Sequence, residues 1–222
     1  MPDVASQQEV AEFYCELAAG EIMRSRPDGA RSYLEAAMQQ NRKCVRASLL
    51  QGDLLLQEGN LPGAIDAWQR IEQQDPAYLA LVAQRLLETY RKMSCRDEGT
   101  ALLRGYLERY PSLDLLDVVY QQILEGEGNE AAYRLVRDEL ARNPTLLGLE
   151  KLMSARLPLA APEIRPDVEL AKTIIQGYTK RLSRYRCDNC GFKARQFYWR
   201  CPACGGWESY PPRRSEEFDQ TL

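Results

Sequence analysis

The chain has 222 residues, of which 45% are hydrophobic and 27% charged, and its formal net charge is −3. This composition is typical of a soluble globular protein and excludes an intrinsically disordered chain, and no apolar run is long enough to span a membrane. The absence of histidine excludes Ser-His-Asp and Cys-His catalysis, so we do not expect an enzyme.

Helical repeats are predicted over residues 1–157, and the clearest unit runs from Val45 to Tyr78. Two small residues let the helices of this unit approach each other, a tryptophan fills the space between neighbouring units, and a proline ends the second helix. These positions are Gly52 and Ala64, Trp68, and Pro76. A 34-residue unit with this pattern is typical of a tetratricopeptide repeat.

The same pattern recurs in both directions along the chain. Pro76 has counterparts at Pro111 and Pro144, at spacings of 35 and 33 residues. Small and apolar residues occupy the matching positions of the other units, namely Tyr14, Ala18, Ala30 and Leu34, then Leu86, Tyr90, Leu103 and Tyr106, then Leu116, Tyr120, Ala132 and Val136. The pattern predicts an all-α tetratricopeptide-repeat superhelix, with an irregular helical bundle as the alternative.

After Pro144 the repeat pattern is no longer recognisable. Two further helices are predicted, Thr145 to Leu157 and Asp167 to Leu182, with a proline-rich stretch between them. Asp167 precedes an apolar stripe and is the predicted N-cap of the second helix. We interpret residues 158–184 as a linker and capping helix, and we expect residues 215–222 to form a disordered tail.

Two cysteine pairs in residues 185–214 predict a metal site. Each pair has a two-residue gap and a following glycine, and the four cysteines are Cys187, Cys190, Cys201 and Cys204. The gap lets both thiolates of a tight turn bind one ion, and the glycine permits a positive φ. Two such pairs predict a rubredoxin-like ribbon with one iron or zinc ion per chain in a tetrahedral four-thiolate site.

The other three cysteines are Cys15, Cys44 and Cys95, and none has a partner at metal-ligand spacing in the sequence. A chain without a secretion signal keeps isolated thiols reduced. We therefore expect all three to be packing or surface thiols.

The C-terminal segment is basic, whereas the remainder of the chain is acidic. Residues 178–214 carry nine basic and two acidic residues, a charge of +7, and the remainder carries 20 basic and 30 acidic residues, a charge of −10. This asymmetry indicates a nucleic-acid contact, an anionic membrane surface, or docking of the ribbon on the acidic repeats. Since the aromatic residues of so small a module are needed for its core, we favour docking and do not expect nucleic-acid binding.

The combination of motifs resembles a known family. Repeats followed by Arg-Tyr-Arg-Cys-x-x-Cys-Gly-Phe at 184–192 and Tyr-Trp-x-Cys-Pro-x-Cys at 198–204 are similar to the lipopolysaccharide assembly protein B family of Gram-negative bacteria. The segment Phe13–Ala18 also resembles one of that family's repeats. The resemblance covers the whole chain, as the C-terminal part of a longer cytoplasmic region whose membrane anchor and earlier repeats this sequence lacks.

The resemblance implies a non-enzymatic adaptor on the cytoplasmic side of the bacterial inner membrane, held there by the anchor absent from this chain. It implies protein partners: the protease FtsH, the deacetylase that commits material to lipid A synthesis, and the lipopolysaccharide-assembly machinery. In this family the adaptor promotes FtsH-dependent proteolysis of the deacetylase. A nucleic-acid-binding adaptor and a one-electron rubredoxin-type carrier are the alternative functions.

Repeat arrays bind partners through a concave face lined by the first helix of each unit. The repeat pattern predicts six residues on this face, Leu49, Asp53 and Leu56 in the second unit and Gln84, Glu88 and Arg91 in the third. We expect these residues to contact a protein partner.

Overall fold

The computed structural model describes residues 4–179 and 185–214, and these residues form packed helices followed by a small ribbon. The helices are α1 (Val4–Met23), α2 (Pro27–Gln40), α3 (Val45–Gln57), α4 (Leu61–Gln69), α5 (Ile71–Gln74), α6 (Leu79–Lys92), α7 (Arg96–Arg109), α8 (Leu113–Glu127), α9 (Asn129–Arg142), α10 (Leu146–Arg156) and α11 (Arg165–Thr179). The predicted tail and the end of the predicted capping helix at Leu182 lie outside the described residues. None of the helices in the described ranges is both long and apolar enough to cross a membrane.

The helices recur at the predicted period. The first helices of successive units, α3, α6, α8 and α10, begin at Val45, Leu79, Leu113 and Leu146, at separations of 34, 34 and 33 residues. Between residues 4 and 179 the structure contains no strand. Two short antiparallel strands, β1 (Tyr185–Arg186) and β2 (Lys193–Ala194), belong to the ribbon. The predicted fold class, helical repeats with a small C-terminal ribbon, is confirmed.

Polar side chains at the turns begin the helices. The Asn60 carboxamide oxygen accepts a hydrogen bond from the Gly63 N–H at 3.0 Å, and the Thr145 hydroxyl accepts one from the Gly148 N–H at 2.8 Å. Gly59, with φ of +80°, provides the left-handed turn after α3. Each such cap satisfies an N–H group that lacks a partner within the helix, and it stabilises the helix by about 1 kcal/mol.

Trp68 sets the distance between α3 and α4. Its side chain is fully buried, as predicted, and its indole N–H donates a hydrogen bond to the Leu49 carbonyl at 3.2 Å. A Cβ added at Gly52 would lie 2.5 Å from Cδ1 of the same ring. The three atoms nearest to a Cβ at Gly52 all belong to Trp68, and the predicted packing of Gly52 against Ala64 stays a prediction. The Trp68 ring packs within its own repeat, against Gly52 of α3, which has no side chain.

The chain divides into two compact units. Among the described residues, the first comprises those up to Gly99 together with Trp199–Ser209, and the second comprises those from Thr100 to Tyr198 together with those from Tyr210 to Arg214. In the first, α1 packs on α2 and α3 around a core of small side chains. In the second, α8 packs on α9, and α10 packs on α9 and α11.

The structure places the start of α11 two residues before the predicted one. The helix begins at Arg165, so Asp167 lies in the first turn and is not the N-cap. A carboxylate in the first turn still stabilises the helix through its dipole. The sequence therefore identified this helix correctly and misplaced its first residue.

Replacing Gly52 with Ala is expected to lower the free energy of unfolding by about 1–3 kcal/mol, because the new methyl group would force the Trp68 ring to move. Gly177→Ala is the matched control, since a Cβ at Gly177 in α11 meets no atom within 4 Å. That control should stabilise the protein by about 0.5–1 kcal/mol through helix propensity. Urea unfolding of both variants measures the difference, and equal effects would contradict this account of Gly52.

Candidate metal centre

The first cysteine pair lies on a tight turn that follows β1. The Cys187 N–H donates to the Phe192 carbonyl at 2.8 Å, and the Gly191 N–H donates to the Cys187 carbonyl at 2.9 Å. Gly191 has φ of +74°, a conformation that side chains disfavour. The glycine after the pair therefore has the backbone conformation that the sequence predicted.

The second pair repeats this geometry. The Cys201 N–H donates to the Gly206 carbonyl at 2.9 Å, and the Gly205 N–H donates to the Cys201 carbonyl at 2.9 Å. Gly205 has φ of +72°. Two turns of the same form, each with a CxxC pair, are the arrangement found in rubredoxin-like and zinc-ribbon sites.

The four sulfur atoms come together as predicted. The Sγ atoms of Cys187, Cys190, Cys201 and Cys204 all lie within 4.8 Å of one another. Cys187 and Cys201 are buried, whereas Cys190 and Cys204 are exposed. Four thiol ligands at this separation fit one tetrahedral zinc or iron ion. Such a set leaves no open coordination position for water or substrate, which favours a structural or electron-transfer role over catalysis.

Arg46 anchors the second cysteine turn within the first unit. Its guanidinium carbon lies 5.6 Å from the ring centroids of both Trp199 and Trp207. The same group pairs with Glu12 at 3.2 Å and with Glu16 at 2.7 Å. The Arg46 side chain is only 9% exposed, so these contacts hold a charge away from water. Sequence reasoning missed this residue because a single arginine in a helix carries no motif.

Aromatic pairs extend the contact around Arg46. Trp199 stacks on Tyr78, with ring centroids 5.6 Å apart and planes 10° from parallel. Trp207 meets Phe13 edge to face, with centroids 5.7 Å apart. Each such pair contributes about 0.5–1.5 kcal/mol beyond the area it buries. Docking of the ribbon segment on the repeats, which the opposite charges predicted, is therefore largely aromatic here.

The basic residue Arg214 anchors the other ribbon segment within the second unit. Its Nε donates to Asp114 at 3.0 Å, and its terminal nitrogen pairs with Asp117 at 3.1 Å, both on α8. The Tyr185 hydroxyl donates to the same Asp114 at 3.3 Å, and the Tyr210 hydroxyl donates to the Tyr185 carbonyl at 3.2 Å. This contact pairs a ribbon cation with repeat carboxylates, as the charge asymmetry predicted.

Two of the cysteines interpreted as isolated thiols lie together. The Sγ atoms of Cys15 and Cys44 are 3.6 Å apart, and both residues are fully buried. The hydrogen bond with Cys44, together with burial, raises the pKa of Cys15. Beside them, burial and the Glu12 carboxylate raise the pKa of Glu208 to about 7. The cysteines are 29 residues apart, and no local spacing rule connects them.

The six predicted partner-binding residues differ in exposure. Leu49 is 7% exposed and belongs to the core, and Asp53 pairs with Arg85 at 2.9 Å. Leu56 is partly buried, and Arg91 is exposed. Gln84 and Glu88 are also exposed, and their side chains are hydrogen-bonded to each other at 2.8 Å. The accessible members thus form a mostly charged surface along α3 and α6.

Family models match both parts of the chain. The rubredoxin metal binding domain matches residues 185–211, and the tetratricopeptide repeat matches residues 21–85. The chain is also 27% identical over 208 residues to Lipopolysaccharide assembly protein B of Escherichia coli (strain K12). The protein of that name from Haemophilus influenzae is 27% identical over 217 residues. These matches confirm the resemblance that the motifs indicated.

The matches cover 93% and 95% of this chain but 53% of each relative, so the chain spans about half the length of the curated relatives it matches. Among solved structures, MamA 41-end from Desulfovibrio magneticus covers 77% of this chain and 95% of its own, at 12% identity and a TM-score of 0.44. The flexible tandem repeat domain of a bacterial cellulose synthase covers 82% of this chain and 92% of its own, at 16% identity and a TM-score of 0.39.

Replacing Cys201 and Cys204 with Ser is expected to remove the ion from the ribbon, because two thiol ligands cannot complete the four-thiolate site. X-ray absorption of the unmodified protein should show metal–sulfur distances of about 2.3 Å. The helical circular dichroism of the variant should largely survive, since each repeat is held mainly by its neighbours. Cys95→Ser is the control and should keep its metal. Unchanged absorption spectra of the ribbon metal in the double variant would contradict the ligand assignment.

Replacing Arg46 with Ala is expected to lower the free energy of unfolding by about 3–5 kcal/mol, because Glu12 would be left buried without a counter-charge. Arg31→Ala removes the exposed pair of Arg31 with Glu58, at 2.6 Å, and should cost less than about 1 kcal/mol. Tryptophan fluorescence during urea unfolding reports both the global transition and the environment of Trp199 and Trp207. Similar losses in the two variants would show that Arg46 is not an anchor.

Proposed function

We propose that the protein is an adaptor that regulates lipopolysaccharide synthesis by binding other proteins. The observation that carries this proposal is the similarity to Lipopolysaccharide assembly protein B, which extends over 93% of the chain. Because so little of the chain is left unmatched, the similarity includes both the repeats and the cysteine ribbon. Tetratricopeptide repeats are protein-binding scaffolds, and a closed thiolate site gives the ribbon a supporting role.

The binding surface in this proposal is the exposed part of α3 and α6. Asp53, Gln84, Glu88 and Arg91 present charged and amide groups, and the Asp53–Arg85 pair connects the two helices. Charged surfaces of this kind contribute to the rate and specificity of association more than to affinity. Leu49 is buried in the core and is not part of this surface.

The partners in this proposal are the deacetylase that commits material to lipid A synthesis, the protease FtsH and the lipopolysaccharide-assembly machinery. The adaptor would present the deacetylase to the protease on the cytoplasmic side of the inner membrane. One iron or zinc ion in the four-cysteine site would keep the ribbon folded while it packs on the repeats. The name and extent of the relatives support this assignment, and the ribbon contacts around Arg46 and Arg214 support the docking role.

Reversing one charge on the surface tests the proposal. Glu88→Lys is expected to weaken capture of the deacetylase at least about tenfold, since a misplaced like charge costs roughly 1.4 kcal/mol or more. Glu35→Lys, an exposed change on the second helix α2, is the control and should bind normally. Binding is measured with purified deacetylase, and deacetylase half-life is measured in cells that carry the same changes in the full-length protein.

The two readouts separate the parts of the proposal. Loss of binding together with a longer deacetylase half-life supports the adaptor role. Normal binding and turnover of the deacetylase in the Glu88→Lys variant would show that α6 is not part of the binding surface. No binding by the unmodified protein would overturn the deacetylase as partner.

A further inference from the structure

A second group of metal-ligand side chains lies in the first unit, apart from the four-cysteine ribbon. Glu12 and Cys15 are on α1, Cys44 precedes α3, and Glu208 belongs to the ribbon segment of that unit. The ligand atoms of Glu12, Cys44 and Glu208 all lie within 4.8 Å of one another. Cys15 adds a second sulfur, 3.6 Å from that of Cys44.

Two of the separations among these atoms are close to the edges of a tetrahedral coordination shell. With zinc–sulfur bonds of about 2.3 Å and zinc–oxygen bonds of about 2.0 Å, tetrahedral angles give edges of about 3.8 Å for S···S and about 3.5 Å for S···O. The Cys15–Cys44 sulfur separation is 3.6 Å, and Cys44 Sγ lies 3.6 Å from Glu12 Oε1. The Cys15 sulfur lies outside the group of three atoms within 4.8 Å of one another, so its side chain has to shift for all four ligands to surround one ion.

We propose that Cys15, Cys44, Glu12 and Glu208 form a second metal site, which binds a divalent zinc-like cation. Two sulfur and two oxygen ligands suit a borderline-soft ion such as zinc and disfavour calcium and magnesium, which prefer oxygen ligands alone. On binding, the two thiols release their protons to water and bind the ion as thiolates.

Arg46 occupies the position of a supporting group in this site. It pairs with Glu12 through Oε2 at 3.2 Å, while the other oxygen, Oε1, faces Cys44. Metal-binding carboxylates are commonly oriented by such an outer hydrogen bond. Arg46 also pairs with Glu16 at 2.7 Å, so the three carboxylates of Glu12, Glu16 and Glu208 outnumber the single cation. The surroundings are therefore favourable for an additional positive charge.

An ion in this site would connect the ribbon segment to the repeats. Its ligands come from α1, from the residue before α3, and from Glu208, which lies next to the anchoring ring of Trp207. Bonds to all three would fix Trp199–Ser209 on the first unit more firmly than the ring contacts alone. The four-cysteine site would keep the ribbon folded, and the second site would attach part of the ribbon to the repeats.

Counting metal ions in the full chain tests the proposal. Purified protein saturated with Zn²⁺ and freed of excess ion should contain two metal ions per chain, with zinc and iron counted together. Cys44→Ser should contain one, and Cys95→Ser, which changes a cysteine outside both groups, should contain two. One ion per chain in the unmodified protein, or two in Cys44→Ser, would overturn the second site.

Glu208→Gln provides a second variant in case the buried Cys44→Ser change prevents folding. Glu208 is only partly buried, so its replacement leaves the core of α1 and α3 intact. Loss of one oxygen ligand should weaken binding of the second zinc ion at least about tenfold, within the range found for metal-site changes. Titration with Zn²⁺ against a competing chelator measures this affinity, and an unchanged value would overturn the four-ligand site.

Discussion

The burial of Arg46 is the constraint on which the docking of the second cysteine turn depends. Removing a guanidinium group from water costs several kcal/mol, and this cost is offset only when partners surround it. Glu12 and Glu16 supply opposite charge, and Trp199 and Trp207 supply two aromatic faces. Glu12 is itself fully buried, so each charge needs the other. The tryptophans flank the Cys201 turn in sequence, and their positions against Arg46 therefore determine where that turn lies on α1 and α3.

The ribbon is too small to be stable without such help. Its two strands contain two residues each, whereas an isolated hairpin is marginal even when longer. Metal binding in comparable zinc modules contributes on the order of 10–16 kcal/mol, enough to offset the missing apolar core. The contacts of Arg214 with α8 and of Arg46 with the tryptophans add to this, one within each unit. We therefore expect the ribbon to depend on a bound ion for folding and on its contacts with the repeats for its placement.

The repeats have a different source of stability. In the repeat from Val45 to Tyr78, the Trp68 ring fills the space next to Gly52. The side chains of Asn60 and Thr145 cap the first turns of α4 and α10. Because each repeat is held by its neighbours, the outward side chains of α3 and α6 are free to vary with the partner. A rigid scaffold with an adaptable charged surface suits a protein whose proposed activity is binding, and the closed thiolate site adds no catalytic position.

The sequence by itself determined the features that depend on local spacing. The 34-residue period, the helix that begins near Thr145 and the two CxxC pairs were all readable, because each follows from contacts between residues close in the chain. The family resemblance was readable for the same reason. The tertiary structure alone decided the contacts between distant residues. Cys15 meets Cys44, Glu12 meets Glu208, and Arg46 meets two tryptophans. These contacts depend on how the helices pack, because a small rotation of one helix places its side chains against different neighbours. Local sequence patterns do not determine that rotation.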